Sequence, residues 1–112
     1  MSDCLFCKIR DGHIPAKILA ENDHALAFRD LGPQAPTHVL VIPRKHLASL
    51  ADATPADAPL LGALMLLGQE VAKQEGLTSY RSVINTGAGA GQSVFHLHLH
   101  VLGGRELAWP PG

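Results

Sequence analysis

The run Phe95-His96-Leu97-His98-Leu99-His100-Val101 places three of the chain's seven histidines at alternate positions, with leucines between them. A strand sends successive side chains to opposite faces, whereas a helix would spread these histidines around its circumference. Strict alternation therefore predicts a strand with three imidazoles on one face and Leu97 and Leu99 on the buried one. A merely solvated face is normally built from Lys, Glu, Thr and Ser. Three imidazoles side by side repel one another when charged and titrate near neutral pH, which marks them as placed for chemistry.

Upstream, Asn85-Thr86-Gly87-Ala88-Gly89-Ala90-Gly91-Gln92-Ser93 joins that strand to another expected over 80–85. A loop with three glycines can aim consecutive backbone N–H groups at an anion. It lacks the Gly-Lys-Ser/Thr that would make it a Walker A loop. Joined to the histidines, it brings oxyanion donors and candidate nucleophiles to one end of a hairpin.

The one long helix starts at Thr54 as N-cap, with Pro55 in the first helical position and Asp57 completing a capping-box pattern. Leu60, Leu64, Leu67 and Val71 recur at helical spacing, as do Leu61, Met65 and Ala72, and Gly76 is the stop. This helix covers the sheet and carries no chemistry. Thr37-His38-Val39-Leu40-Val41-Ile42-Pro43 is almost continuously hydrophobic, which predicts a central strand. His38 sits at its entry, where a histidine is more often a hydrogen-bonded structural residue than a ligand, and Arg44-Lys45-His46 follow its exit. Two earlier strands, over 16–21 and 24–29, meet at a polar turn at Asn22-Asp23. Asp30 then opens a Gly- and Pro-containing loop, a place where binding residues often sit and where solvation or turn capping is the bland alternative. Asp3 is expected to cap a short helix over 4–11 that Gly12 ends. The tail from Gly103 has no regular pattern but holds the single Trp, Trp109, which points to a contact with a second subunit.

The chain of 112 residues is one domain, 1–112, with 46% hydrophobic and 17% charged residues. That composition is globular. A net charge of -1 without Lys/Arg clusters argues against nucleic acid as partner. No apolar run approaches the ~20 residues that cross a bilayer. Met1-Ser2-Asp3-Cys4 lacks the charged and apolar regions of a signal peptide, so a cytoplasmic location is expected, with Cys4 and Cys7 as thiols or metal ligands.

Cys4-Leu5-Phe6-Cys7 admits three readings: a redox pair, two buried cysteines, or half of a zinc site needing two more ligands. No strand precedes it, unlike the usual redox arrangement. The histidine run admits two. Two of its imidazoles could share a zinc, but His96 and His100 are ~13 Å apart on a strand, so a third ligand such as His38 or Asp30 would be needed. Alternatively, a neutral imidazole attacks phosphorus and forms a covalent intermediate that water cleaves, with Ser93 or a neighbouring His relaying the leaving group's proton. A P–N intermediate exchanges with a phosphoramidate at little thermodynamic cost. The absence of a Lys or Asp cluster suited to Mg²⁺ sets the expectation of metal-independent phosphorus chemistry.

His96-Leu97-His98-Leu99-His100-Val101-Leu102 resembles the His-x-His-x-His-x-x signature of the histidine triad (HIT) superfamily, x being hydrophobic. The resemblance extends over nearly the whole chain. It includes Ile14-Pro15-Ala16-Lys17, Ala27-Phe28-Arg29-Asp30, Pro33-Gln34-Ala35-Pro36-Thr37-His38, Gly91-Gln92-Ser93, Leu102-Gly103-Gly104-Arg105 and Trp109-Pro110-Pro111-Gly112. It points to the nucleotide-binding branch of that superfamily. The resemblance implies an α/β fold of the α+β type: a five-stranded antiparallel sheet, one long and one short N-terminal helix, and a homodimer with a continuous sheet. It also implies purine nucleoside phosphoramidase activity on AMP- or GMP-type substrates.

Carried over by position, His98 resembles the nucleophile, and His100 and His38 the histidines that contact or support the α-phosphate. Asn85, Gly91, Gln92 and Ser93 match the phosphate and leaving-group side. Asp30 matches the carboxylate that binds the ribose hydroxyls. Phe6, Ile9, Ile14 and Leu31 match the apolar pocket for the base. Trp109 matches a residue reaching toward the partner's site. Cys4, Cys7, His46 and His96 match a structural zinc site of some bacterial members and of related uridylyltransferases. Gly32 stands where Ser or Asn is frequent and Phe95 where Tyr is frequent. Two alternatives accompany the phosphoramidase: a dinucleoside polyphosphate hydrolase, disfavoured by Gln92-Ser93 and the Trp-Pro-Pro-Gly tail, and a nucleotide-binding regulatory dimer with incidental catalysis.

Overall fold

The computed structural model describes residues 3–112; Met1 and Ser2, on which the reading of the N-terminus partly rests, lie outside them. No helix among the described residues is long and apolar enough to cross a membrane. In chain order the elements are α1 (Leu5–Arg10), β1 (Ile18–Glu21), β2 (Ala25–Arg29), β3 (Thr37–Pro43), α2 (Ala58–Gln74), β4 (Tyr80–Val83) and β5 (Leu99–Gly103). The five strands form one sheet in the order β1-β2-β3-β5-β4, with every neighbouring pair antiparallel. This is the expected α/β architecture.

The period-2 pattern of the central strands sorts side chains between two cores. Ala25, Ala27, Val39, Val41, Leu99 and Val101 face α2, where Leu60, Leu64, Leu67 and Val71 meet them. Leu26, Phe28, Leu40 and Ile42 face the other way, onto Phe6 of α1. Each fully buried leucine here contributes roughly 2 kcal/mol through apolar area removed from water. Gly68 lets α2 lie close on β5, since a Cβ there would stand 2.8 Å from Leu99 Cδ2. Met65, expected on the buried arc, is 48% exposed. The arc is narrower than its sequence spacing because the sheet covers only one side of the helix. On the opposite face, α1 is six residues long and covers only part of the sheet, leaving a cleft beside it.

Local chemistry explains the boundaries. Asn22 Oδ1 accepts N–H bonds from His24 (2.9 Å) and Ala25 (2.9 Å), closing the β1–β2 turn as expected. The N-cap of α1 is Cys4 rather than Asp3: its Sγ accepts the Cys7 N–H at 3.4 Å. The Thr54–Asp57 capping box is present, but it closes a single 3-10 turn over Pro55–Asp57, and α2 begins at Ala58. β4 ends at Val83, two residues short of the expected strand.

The main correction concerns the histidine strand. β5 begins at Leu99, so only His100 of the three lies in the ladder. The β3–β5 register runs from Thr37↔Gly103 to Val41↔Leu99. Beyond it, Pro43 has no N–H to offer, and the chain diverges toward the segment after β3. There the Leu97 N–H donates to the Leu47 carbonyl at 2.7 Å. Alternation survives without the ladder: Leu97 joins the α2 core while His96 and His98 turn toward α1.

Candidate functional site

The sheet register brings His38 and His100 together. His38 stands opposite Leu102 and His100 opposite Leu40, which makes the two histidines diagonal neighbours on the α1 face. His38 Nε2 lies 2.9 Å from His100 Nδ1, and Asp30 Oδ2 is 3.4 Å from the same His38 nitrogen. Asp30 is held by its other oxygen, which accepts the Gly32 N–H at 2.8 Å.

The hydrogen-bond partners settle the tautomers. The Gln34 backbone N–H donates to His38 Nδ1 at 3.0 Å, so His38 carries its proton on Nε2. That proton is donated to His100 Nδ1, so His100 carries its own on Nε2. His100 Nε2 is buried and has no hydrogen-bond partner among the described residues. Burial, with some repulsion from the neighbouring histidines, pushes the His100 imidazole down to about 4, and burial likewise lowers His38 against the opposing pull of Asp30. At neutral pH the pair is therefore uncharged and presents one N–H donor.

His98 is set by a different backbone group. Its Nδ1–H donates to the His96 carbonyl at 2.8 Å, leaving a lone pair on Nε2. Phe6 packs edge-on against the His98 ring with centroids 5.1 Å apart, and the His100 ring lies 4.9 Å away. A nucleophilic nitrogen and an N–H donor therefore stand side by side, the pairing that attack on a phosphoryl or acyl centre requires.

Both line a cleft of about 360 Å³ between α1 and the sheet. Its apolar wall includes Phe6, Ile9, Ile14 and Leu31, and its polar end includes Asp30, Ser93, His98 and His100. Leu31 is 99% exposed at the rim. The cleft also takes in Leu5, Pro15, Lys17 and Val94, which sequence reasoning did not single out; Lys17 and Pro15 lie within a quoted motif but carry no chemical signal of their own.

Other predicted residues stand outside this wall. His38 is buried behind His100. Gln92 is buried and spends its amide on the loop: Nε2 donates to the Ala48 and Val94 carbonyls (2.7 and 3.0 Å), and Oε1 accepts the Gly87 N–H at 2.9 Å. Gly91 has φ +94° and lies against Asn85, whose Nδ2 would be 3.7 Å from a Cβ there. Trp109 is 83% exposed and does not reach the cleft of its own chain.

A second cluster lies behind α1. Cys4, Cys7, His46 and His96 offer donor atoms within 4.8 Å of one another. His96 Nδ1 is 3.0 Å from His46 Nδ1, 3.4 Å from Cys4 Sγ and 3.5 Å from Cys7 Sγ, and Cys7 Sγ is 3.4 Å from His46 Nδ1. Tetrahedral zinc would place nitrogen and sulfur ligands ~3.3–3.8 Å apart. The tautomer also fits: His96 Nε2–H donates to the Pro43 carbonyl at 2.9 Å, which leaves Nδ1 as a lone pair aimed at the thiols. Burial pushes the His96 imidazole down to about 4, so it is a neutral ligand at physiological pH. This cluster fits a metal ion; bound there, the ion would tie α1 to the segments after β3 and before β5.

Among the described residues, Asp30, His38 and His100 form the other group compact enough to suggest a metal. Their tautomers argue against it. With Nδ1 accepting from the Gln34 amide, His38 Nε2 holds a proton and has no lone pair to give.

A HIT domain model matches residues 11–107, most of the chain. The chain belongs to the HIT family. It is 57% identical over 111 residues to an uncharacterised HIT-like protein of Synechococcus elongatus, covering 98% of this chain and 97% of that one. Among solved structures, a HIT family hydrolase from Legionella pneumophila superposes with TM-score 0.95 at 50% identity, covering 98% of this chain and all of its own. A HIT family hydrolase from Clostridium thermocellum gives 0.93 at 37%, covering 96% of each chain.

Proposed function

We propose that this HIT protein is a purine nucleoside phosphoramidase, hydrolysing the P–N bond of nucleoside 5′-phosphoramidates through a nucleotidyl-His98 intermediate. The observation that carries this reading is the pairing of the His98 Nε2 lone pair with the unpartnered His100 Nε2–H at one end of an apolar cleft. The base lies against Phe6, Ile9, Ile14 and Leu31, and the Asp30 carboxylate accepts from the ribose hydroxyls. His98 Nε2 attacks phosphorus and the bond to the leaving nitrogen breaks. The departing amine takes a proton that the Ser93 hydroxyl relays from solvent, and the attacking water later gives one back. The developing charge on the phosphoryl oxygens is met by the His100 N–H. Water then attacks the phosphorus, displaces His98 and releases the nucleoside monophosphate.

The name hydrolase carried by the Legionella and Clostridium neighbours supports the reaction class. We assign zinc to Cys4, Cys7, His46 and His96 in a structural role, because two thiolates and two imidazoles suit that ion. The expected homodimer joins the two sheets, brings Trp109 toward the partner's cleft, and works in the cytoplasm.

Adenosine 5′-phosphoramidate given to wild type and to His98→Asn tests the assignment. The variant is expected to lose at least a thousandfold in turnover, as a missing nucleophile costs. Turnover near the wild-type rate would refute the role of His98. Tight AMP binding without turnover by the wild type would replace the enzyme with a nucleotide-binding protein. Preferential cleavage of a dinucleoside polyphosphate would move it to the other hydrolytic class.

A further inference from the structure

The polarity of His100 is decided several residues away from the cleft. Its Nε2–H exists because His38 donates to Nδ1, and His38 donates because the Gln34 amide occupies its other nitrogen. Gln34 is in turn gripped from the C-terminal tail. The Arg105 guanidinium donates to the Gln34 carbonyl through Nε (3.3 Å) and Nη2 (2.9 Å). Gly104 makes that approach possible: it adopts φ +89°, and a Cβ there would stand 2.9 Å from Pro36 Cβ. Besides the Asp30 N–H bond to the His38 carbonyl (3.0 Å) that closes its base, the loop's own bonds, Gly32 N–H to Asp30 and the Gln34 side-chain amide to the Gly32 carbonyl, brace its first half.

We infer that Arg105 is a positioning residue: by clamping Gln34 it holds the amide that fixes the His38 tautomer and keeps His100 an N–H donor toward the substrate. Its bearing on catalysis rests on the phosphoramidase reading; its bearing on the tautomers does not. Without the clamp, only the Asp30 carboxylate, 3.4 Å from Nε2, still favours the Nε2 proton, and a share of His38 takes its proton on Nδ1. Its Nε2 then becomes an acceptor, His100 moves its proton to Nδ1 to satisfy it, and His100 Nε2 becomes a lone pair. One proton relocated on each ring turns attraction for a phosphoryl oxygen into repulsion.

The test is nitrogen-15 NMR of the histidine rings in the ligand-free full-length protein, alongside steady-state kinetics on adenosine 5′-phosphoramidate. Wild type should show His38 and His100 protonated on Nε2 alone. Arg105→Met, which keeps the aliphatic stem and loses the donors, should show mixed tautomers at both rings, with kcat down about tenfold and KM nearly unchanged. Arg105→Lys should recover most of both. Gln34→Pro removes the amide hydrogen itself and should shift the tautomers further, whereas Gln34→Ala keeps the amide and should not. Retention of pure Nε2–H tautomers in Arg105→Met would overturn the inference whatever the rate, as would equal effects of the two Gln34 variants. A wild type inert toward the phosphoramidate would sink the proposed activity while leaving the ring spectra to judge the clamp.

Discussion

Two histidine pairs lie on the same side of the sheet, one joined by two cysteines and the other by an aspartate, and the protein has made them opposites. In the one behind α1, the far nitrogen of His96 donates to a carbonyl, so the near nitrogen is a lone pair suited to a metal. In the one at the cleft, the far nitrogen of His38 accepts from an amide, so the near nitrogen is a proton donor. Distance alone does not separate them, since each is compact enough for an ion. The backbone group on the distant ring nitrogen decides whether a cluster binds a cation or hands a proton along.

Phe6 links the two. It lies between Cys4 and Cys7 on α1, and its ring packs against both His96 and His98, with centroids 6.0 and 5.1 Å away. A metal behind α1 would thus also hold one wall of the cleft.

Four measurements test this contrast. Cys7→Ser should abolish stoichiometric zinc in metal analysis and remove on the order of 4 kcal/mol of stability when free zinc exceeds Kd a thousandfold. Equal zinc in mutant and wild type would defeat the metal assignment. Phe6→Ala, at the junction, should cost about 3 kcal/mol in denaturant melts and weaken AMP binding in calorimetry. Losing stability but not affinity would separate the wall from the cleft. Acid should act on the donor cluster next. His38 and His100 bind protons less readily folded than unfolded, so stability is full above pH ~6.5 and falls as pH drops toward 4. Melts of His38→Asn across that range should show a shallower slope; an unchanged slope would contradict neutral burial. The smallest effect is a null one. Cobalt titrated past one equivalent should give no second tight site, and a second site that vanishes in His38→Asn would refute the tautomer argument.

Much of this was legible in the chain. The alternation of Leu97, Leu99 and Val101 with the histidines reports sidedness correctly, because sidedness is a property of consecutive residues. The grouping of Cys4 and Cys7 with His46 and His96 came through family resemblance, and the donor atoms do converge. The start of β5 was not legible, because it depends on Pro43 across the sheet. Gln92 reads as a site residue next to Ser93, yet it is turned inward onto Ala48 and Val94 because its amide supplies what two buried carbonyls need. Arg105 carries no site signal, since its partner is a main-chain oxygen.

The order of side chains is enough to set which residue types are available and on which side of the sheet they fall, since periodicity is a property of that order. What each histidine does is set by the folded chain. The carbonyls of His96 and Pro43 and the amide of Gln34 set the three tautomers, and every residue type offers those same backbone groups. The run His96-Leu97-His98-Leu99-His100 therefore announces chemistry, while the protons that define it are placed by folding.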